Sequence, residues 1–247
     1  MHMEWFENWF DSEYYHLLYQ NRSEEEAIHF VSKCVQILET KPNETLLDLA
    51  CGKGRHSVAF ANCHLDVTGV DLSKESIARA KLNEKDNLHF YVHDMRNVFR
   101  TNYFDYVCNL FTSFGYFRND HDNLLAAKSI FLSLKPKGTL LIDFVNRNYA
   151  IRSINSNLRE TILLENIEFN IQRSFTDKKF IKDIHIKNGM QHFHFQESVN
   201  SFTLTEMTAL FHSVGLSLKA TFGNYELAAY NEVDSPRMIL KFEKIID

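Results

Sequence analysis

The sequence predicts a doubly wound α/β domain of mostly parallel strands, interrupted by a small antiparallel β insertion. Three observations carry that expectation. From about residue 45, short apolar runs alternate with amphipathic stretches of roughly ten residues, the pattern of a parallel sheet with helices on both faces. After about Asn148 the hydrophobic period changes to two, as in half-buried antiparallel strands. Apolar residues make up 45% and charged residues 24% of the 247-residue chain, enough for one large core and too little charge for a disordered chain.

Each element has its own signal. Residues 1–40 read as helical and aromatic, with Trp5, Phe6, Trp9, Phe10, Tyr14, Tyr15 and Tyr19. Such a segment either packs across a sheet or closes over a site. Thr45 to Ala50 is a short apolar strand broken by Gly52 and Gly54, and Arg55 to Ala61 follows as a helix. Asp66 to Val70 is a second strand ending in Asp71, and Ser73 caps the next helix. Leu88 to Val92 and Tyr106 to Phe111 are further strands. His121 to Leu134 is a helix, Lys135-Pro136-Lys137-Gly138 a turn, and Thr139 to Val145 the fifth strand.

Within residues 149–200, Ile167, Phe169 and Ile171 alternate with polar residues, as do Ile184 and Ile186. Asn188-Gly189 is a hairpin signal with both turn positions at positive φ. The return strand sets Phe193 and Phe195 on one face and His192, His194 and Gln196 on the other. Thr203 to Glu206 has capping-box spacing and opens a helix that stops at Gly215. Leu216 to Phe222 and Met238 to Phe242 return to the main sheet. The main domain is thus expected from 41–148 and 201–247, with 149–200 inserted.

Composition narrows the function. With 27 basic and 32 acidic residues the net charge is −5, a poor match to the positive field that nucleic acid requires. Cys34, Cys51, Cys63 and Cys108 form no C-x-x-C pair and fit a reducing compartment. The N-terminus lacks a signal-peptide pattern, and no run is long enough to cross a membrane, so a cytoplasmic location is expected. Oligomeric state, monomer or dimer, stays open.

The segment Leu46-Leu47-Asp48-Leu49-Ala50-Cys51-Gly52-Lys53-Gly54-Arg55 joins the first strand to the first helix of this alternation. Glycines there let a ligand approach the backbone. A dinucleotide fingerprint is incomplete, because Ser57 stands where its third glycine would be. Acids close three successive strands: Asp48, Asp71 and Asp94. All lie at the carboxyl edge, where open α/β sheets bind ligands. They suit a ligand with a cationic head, a ribose and an exocyclic amine, a description that S-adenosylmethionine meets.

With Gly69-Val70-Asp71-Leu72-Ser73, His93-Asp94-Met95-Arg96 and Leu134-Lys135-Pro136-Lys137-Gly138 in order, the sequence resembles the class I S-adenosylmethionine-dependent methyltransferases. The resemblance covers about residues 40 to 145 closely. It implies a seven-stranded Rossmann-like sheet and S-adenosylmethionine as cofactor. Carried over, Asp48, Ala50, Gly52 and Gly54 would surround the methionine part. Asp71 and Leu72 would bind the ribose, Asp94 and Met95 would flank the adenine, and Asn109 and Leu110 would sit near the sulfur. The family often has glycine where this chain has Ala50. The insertion is similar to that of small-molecule enzymes of this class, where it roofs the substrate pocket. Tyr15 and Tyr19 look like lid positions, with Arg22 meeting the cofactor carboxylate.

Methyl transfer needs a nucleophile in line behind the methyl, so proximity and water exclusion can supply most of the acceleration. No catalytic side chain is obligatory. The candidates for a base are Tyr116, His192 and His194. Asp143 closes the fifth strand, but no partner set accompanies it, and no metal is expected. Asn109-Leu110-Phe111-Thr112 lacks the Pro-Pro-Tyr of base- and amide-nitrogen enzymes. The expected function is small-molecule methyl transfer. RNA or protein methylation and a non-catalytic interaction module are the alternatives, and a nicotinamide oxidoreductase is disfavoured by Asp48 and Ser57.

Overall fold

The computed structural model describes residues 5–20 and 23–245. The chain begins with α1 (Trp5–Phe10), α2 (Glu13–Leu18) and α3 (Glu24–Leu38). It continues with β1 (Thr45–Leu49), α4 (Arg55–Asn62), β2 (Asp66–Asp71), α5 (Lys74–Ala80), β3 (Leu88–Val92) and β4 (Phe104–Asn109). Then come α6 (Asp120–Ser133), β5 (Leu134–Val145), α7 (Arg147–Ser156) and four strands: β6 (Arg159–Leu164), β7 (Ile167–Thr176), β8 (Lys179–Asn188) and β9 (Gln191–Asn200). The chain closes with α8 (Leu204–His212), β10 (Leu216–Phe222) and β11 (Arg237–Lys244).

Seven strands form the main sheet in the order β10-β11-β5-β4-β1-β2-β3. Pairing is parallel from β5 through β3 and antiparallel for β11 and β10. The chain leaves β3 at one edge and re-enters beside β1 as β4. The carboxyl ends of β1 and β4 therefore diverge into the crevice where such sheets take ligands. Two apolar layers cover the sheet, one containing Phe104, Phe144, Phe211 and Phe242, the other Phe30, Phe60 and Phe90. Local signals act where expected: Ser73 accepts from Ser76 N–H, and Thr203 with Glu206 closes a capping box.

Strands β6–β9 form a separate antiparallel sheet. Its apolar face, with Phe169, Ile171, Ile184, Ile186, Phe193 and Phe195, packs against Trp9 and Tyr14 of the N-terminal helices. The Trp9 ring lies 4.8 Å from Phe195, and Tyr14 lies 4.8 Å from Phe193.

Four local readings change. β4 stops at Asn109, because Phe111 and Thr112 turn to φ of 60° and 59°. The Lys135–Gly138 turn is an irregularity within β5, with Lys137 at φ 64°. Residues 147–156 are helical, capped by Asn146; their apolar residues are too sparse for a clear period. The hairpin register pairs Asn188 with Gln191, so Gly189 and Met190 are the central residues. Only Gly189, at φ 60°, takes positive φ, which puts glycine at the first central position as in a type II′ turn.

Candidate active site

The β1–α4 joint is left-handed at three residues: Ala50 (φ 64°), Gly52 (φ 56°) and Gly54 (φ 82°). Ala50 bears a Cβ where the backbone favours none, which explains why glycine is usual there. A Cβ placed on Gly52 would meet nothing within 4 Å, so the bare backbone faces the open cleft. On Gly54 it would strike the Phe90 ring at 2.6 Å. Gly54 serves close helix–strand packing and is not among the cleft-lining residues.

Asp71 ends β2 beside that joint. Its Oδ2 accepts from Gly52 N–H at 2.8 Å and its Oδ1 from Ser73 N–H at 2.9 Å. A carboxylate has about four acceptor positions, so lone pairs remain on both oxygens for donors in the cleft. Burial pushes its pKa up, against those hydrogen bonds. Asp48 is buried and accepts from Ser57 Oγ at 2.5 Å. The hydroxyl at the position of the missing third glycine thus holds the strand-end acid. Burial pushes Asp48 up to about 6, opposed by the Ser57 bond.

Asp94 is gripped by the Arg96 fork, with Nη2 to Oδ2 at 2.6 Å and Nε to Oδ2 at 2.9 Å. Arg96 Nη1 reaches Asp122 at 3.3 Å. Burial would raise Asp94, but the Arg96 bonds prevail and hold it below the usual carboxylate range.

The three strand-end acids open on one cleft of about 1000 Å³. The structure brings Asp48, Ala50, Gly52, Asp71, Leu72, Asp94, Met95 and Leu110 to it, together with Tyr15, Tyr19 and Tyr116. Bare backbone at Gly52, free acceptor capacity on Asp71 and this volume all fit S-adenosylmethionine.

Other candidates sit elsewhere. Asn109 is fully buried and donates through Nδ2 to the Leu49 carbonyl at 2.9 Å, tying β4 to β1 instead of lining the cleft. His192 and His194 lie on the exposed face of β9; His194 stacks on His185 at 4.4 Å and contacts Asp183. The strand alternation that packs Phe193 and Phe195 against the N-terminal helices turns both histidines away from the cleft. Arg22 lies outside the described residues.

Among the described residues, none of 149–200 lines the cleft. The N-terminal helices intervene. Their outer side docks on the second sheet, where Trp9 Nε1 and Tyr19 OH both donate to Glu197 Oε1 at 2.8 Å, beside Lys182. Burial first, then Glu197, raises the Tyr19 hydroxyl well above its ordinary pKa. On the inner side, Asp11 Oδ1 accepts from Ser73 Oγ at 2.6 Å and from Glu75 N–H at 3.2 Å. Asp11 and His16 line the cleft with no signal in the sequence, being lone polar residues among aromatics.

A buried ion pair supports the far wall. Asp143 accepts from Arg237 Nε at 2.7 Å and from Phe111 N–H at 2.9 Å, while Arg237 Nη2 donates to Thr112 Oγ1 at 2.9 Å. The left-handed Phe111–Thr112 turn, which carries Phe111 into the cleft, is fixed by these bonds. No group of three or more metal-ligating side chains occurs among the described residues. No helix there is long and apolar enough to cross a membrane.

Residues 46–138 match the family described as Methyltransferase domain. YqeM of Bacillus subtilis (strain 168), which carries a methyltransferase name, is 30% identical over 214 residues, covering 81% of this chain and 83% of that protein. The dTDP-3-amino-3,4,6-trideoxy-alpha-D-glucopyranose N,N-dimethyltransferase of Streptomyces venezuelae is 29% identical over 132 residues, 52% of this chain and 54% of that protein. The fold is similar to that of CalS10 with bound SAM, an amino pentose methyltransferase from Micromonospora echinaspora, with a TM-score of 0.68 at 17% identity over 94% of this chain and 97% of that one. With its strand-end acids, its seven-stranded sheet and a relative matched over four-fifths of its length, the chain belongs to the class I S-adenosylmethionine-dependent methyltransferases.

Proposed function

We propose that this enzyme methylates a small molecule, an amine by preference, held between the cofactor and the N-terminal helices. The observation that carries the reading is the aromatic wall closing the cleft. Phe10 lies 5.0 Å from Tyr15 and 5.3 Å from Tyr116, and Tyr15 lies 4.9 Å from Tyr19, all edge-on or tilted. A covered, aromatic-walled pocket suits a compact acceptor, whereas a polynucleotide needs an open basic surface. The amino-sugar substrates in the names of two similar proteins support the preference for an amine.

In this reading Asp48, Ala50 and Gly52 cradle the methionine part. Asp71 and Leu72 take the ribose, Asp94 and Met95 the adenine, and Leu110 lies near the sulfur. Of the segment 1–40, residues 5–20 form the lid, while α3 packs into the layer over the main sheet; 149–200 brace the lid from outside, so the roof has two layers over the domain built from 41–148 and 201–247. Bound S-adenosylmethionine supplies a methyl group activated on a sulfonium. The protein's part is to hold the acceptor in line, exclude water and orient the nucleophile. Tyr116 is the candidate for that orientation, since His192 and His194 lie outside the cleft.

The test is release of S-adenosylhomocysteine with amino sugars and simple amines, beside total RNA and a protein extract. Turnover with an amine is expected, and turnover with RNA or protein alone would overturn the reading. The ribose assignment is checked by calorimetry. Asp71→Ala loses charge-assisted bonds of about 1.5–3 kcal/mol each, so S-adenosylhomocysteine should bind at least about tenfold more weakly.

A further inference from the structure

His16 is only 5% exposed, lines the cleft, and has no hydrogen-bond partner for either ring nitrogen among the described residues. A buried polar group without a partner is costly, and a neutral imidazole brings both a donor and an acceptor. Two unsatisfied nitrogens on a cleft wall indicate a partner that arrives with the ligand.

The surroundings say which part of the ligand that is. His16 shares the cleft with Asp11, Lys53, Asp71 and Arg79, and the charges of Asp11, Lys53, Glu75 and Arg79 act on its ring. Asp11 is bonded to Ser73 and Glu75 at the start of α5, and Ser73 N–H is bonded to Asp71. The segment that carries Asp11 and His16 is thereby fastened beside the Asp71 carboxylate, and His16 lines the same cleft as Asp71 and Lys53. We propose that His16 is a ribose-binding residue, donating an N–H to a hydroxyl oxygen of the cofactor ribose whose proton is donated to Asp71. This rests on the assignment of Asp71 to the ribose.

The two groups divide the labour chemically. Ionised Asp71 only accepts, so each ribose hydroxyl donates it a hydrogen bond and keeps its own lone pairs. Those lone pairs need a donor, and the imidazole N–H supplies one. Burial first, then the fields of Lys53 and Arg79, lower the His16 pKa to about 4, so the ring stays neutral near neutral pH.

The experiment measures binding of S-adenosylhomocysteine and its 2′-deoxy and 3′-deoxy forms by calorimetry to the whole chain, together with thermal unfolding without ligand. His16→Leu should weaken S-adenosylhomocysteine by roughly two- to tenfold, the range of one neutral hydrogen bond. That loss should vanish against the deoxy form lacking the bonded hydroxyl, and His16→Gln should recover part of it. The ligand-free Leu variant should melt no lower than the parent, because it buries no unpaired nitrogen. A residue of merely structural value would instead lower both stability and affinity for every form. Unchanged affinity, or an equal loss for all three ligands, would overturn the proposal. Asp71→Asn separates the two levels. If it weakens binding while His16→Leu does not, only the role of His16 fails. If neither variant weakens binding, the ribose assignment fails and the proposal falls with it.

Discussion

Asp48 and His16 line the same cleft and respond to pH in opposite senses. His16, at about 4 in the fold against 6.5 ordinarily, binds its proton more readily in the unfolded chain. Its contribution to stability is present above pH 6.5 and is lost as pH falls toward 4. Asp48, at about 6 against 3.8, binds its proton more readily in the fold, with Ser57 and Arg55 opposing burial and Asp71 reinforcing it. Its contribution is present below 3.8 and is lost as pH rises through 6. Each full titration amounts to at most about 3 kcal/mol, and the two largely cancel between pH 4 and 6. Urea unfolding across that window should show His16→Leu gaining on the parent as pH falls and Asp48→Asn gaining as pH rises. Parallel profiles for all three proteins would mean that neither group titrates as described. Gly52→Ala is a second check: its methyl points into open space, so the cost to the fold should stay near 1 kcal/mol for the left-handed backbone while S-adenosylhomocysteine affinity drops. Residues such as Asp48 and Asp71 were legible because an acid at a strand end has few places to go. Asn109 and Gly54 occupy equally suggestive positions, but a position does not reveal that one side chain turns back to β1 or that the other backbone is pressed against Phe90. His16 gave no signal, since one polar residue among aromatics has no period of its own.

Elements were legible wherever periodicity and caps agreed, as at Ser73 and Thr203. What the elements lean on was less so. The Asp143–Arg237 pair joins β5 to β11 across 94 residues, and nothing local in either strand announces it. The Asp143 side chain is fully buried and that of Arg237 is 17% exposed, so Arg237→Met leaves a carboxylate without its counter-charge. That change should cost about 3–5 kcal/mol in urea unfolding. It also releases Thr112 Oγ1 from the turn that presents Phe111. A loss below about 1 kcal/mol would mean that the turn is held chiefly by the backbone bonds to Asp143. The insertion shows the same division. Alternation placed Phe193 and Phe195 on the inward face correctly, yet their neighbours come from a segment near the other end of the chain, which no local pattern encodes.

For the molecule as a whole, the doubly wound order and the antiparallel addition were both readable, because period, strand length and the motif series all pointed the same way. S-adenosylhomocysteine at a hundred times its dissociation constant should raise folding stability by about 2.7 kcal/mol, and NAD should leave it unchanged; stabilisation by NAD alone would contradict the cofactor. The contacts that finish the cleft also impose an order of assembly. Trp9 meets Glu197 across 188 residues, and Tyr19 meets it across 178. The outer side of these helices cannot be covered until β9 exists, so a chain growing on the ribosome exposes Trp9 and Tyr14 until about four-fifths of it has been made. Strands β1 to β4 are complete long before that point. A nascent chain could therefore carry a formed but uncovered crevice, and chaperone binding to the first twenty residues should persist until β9 emerges.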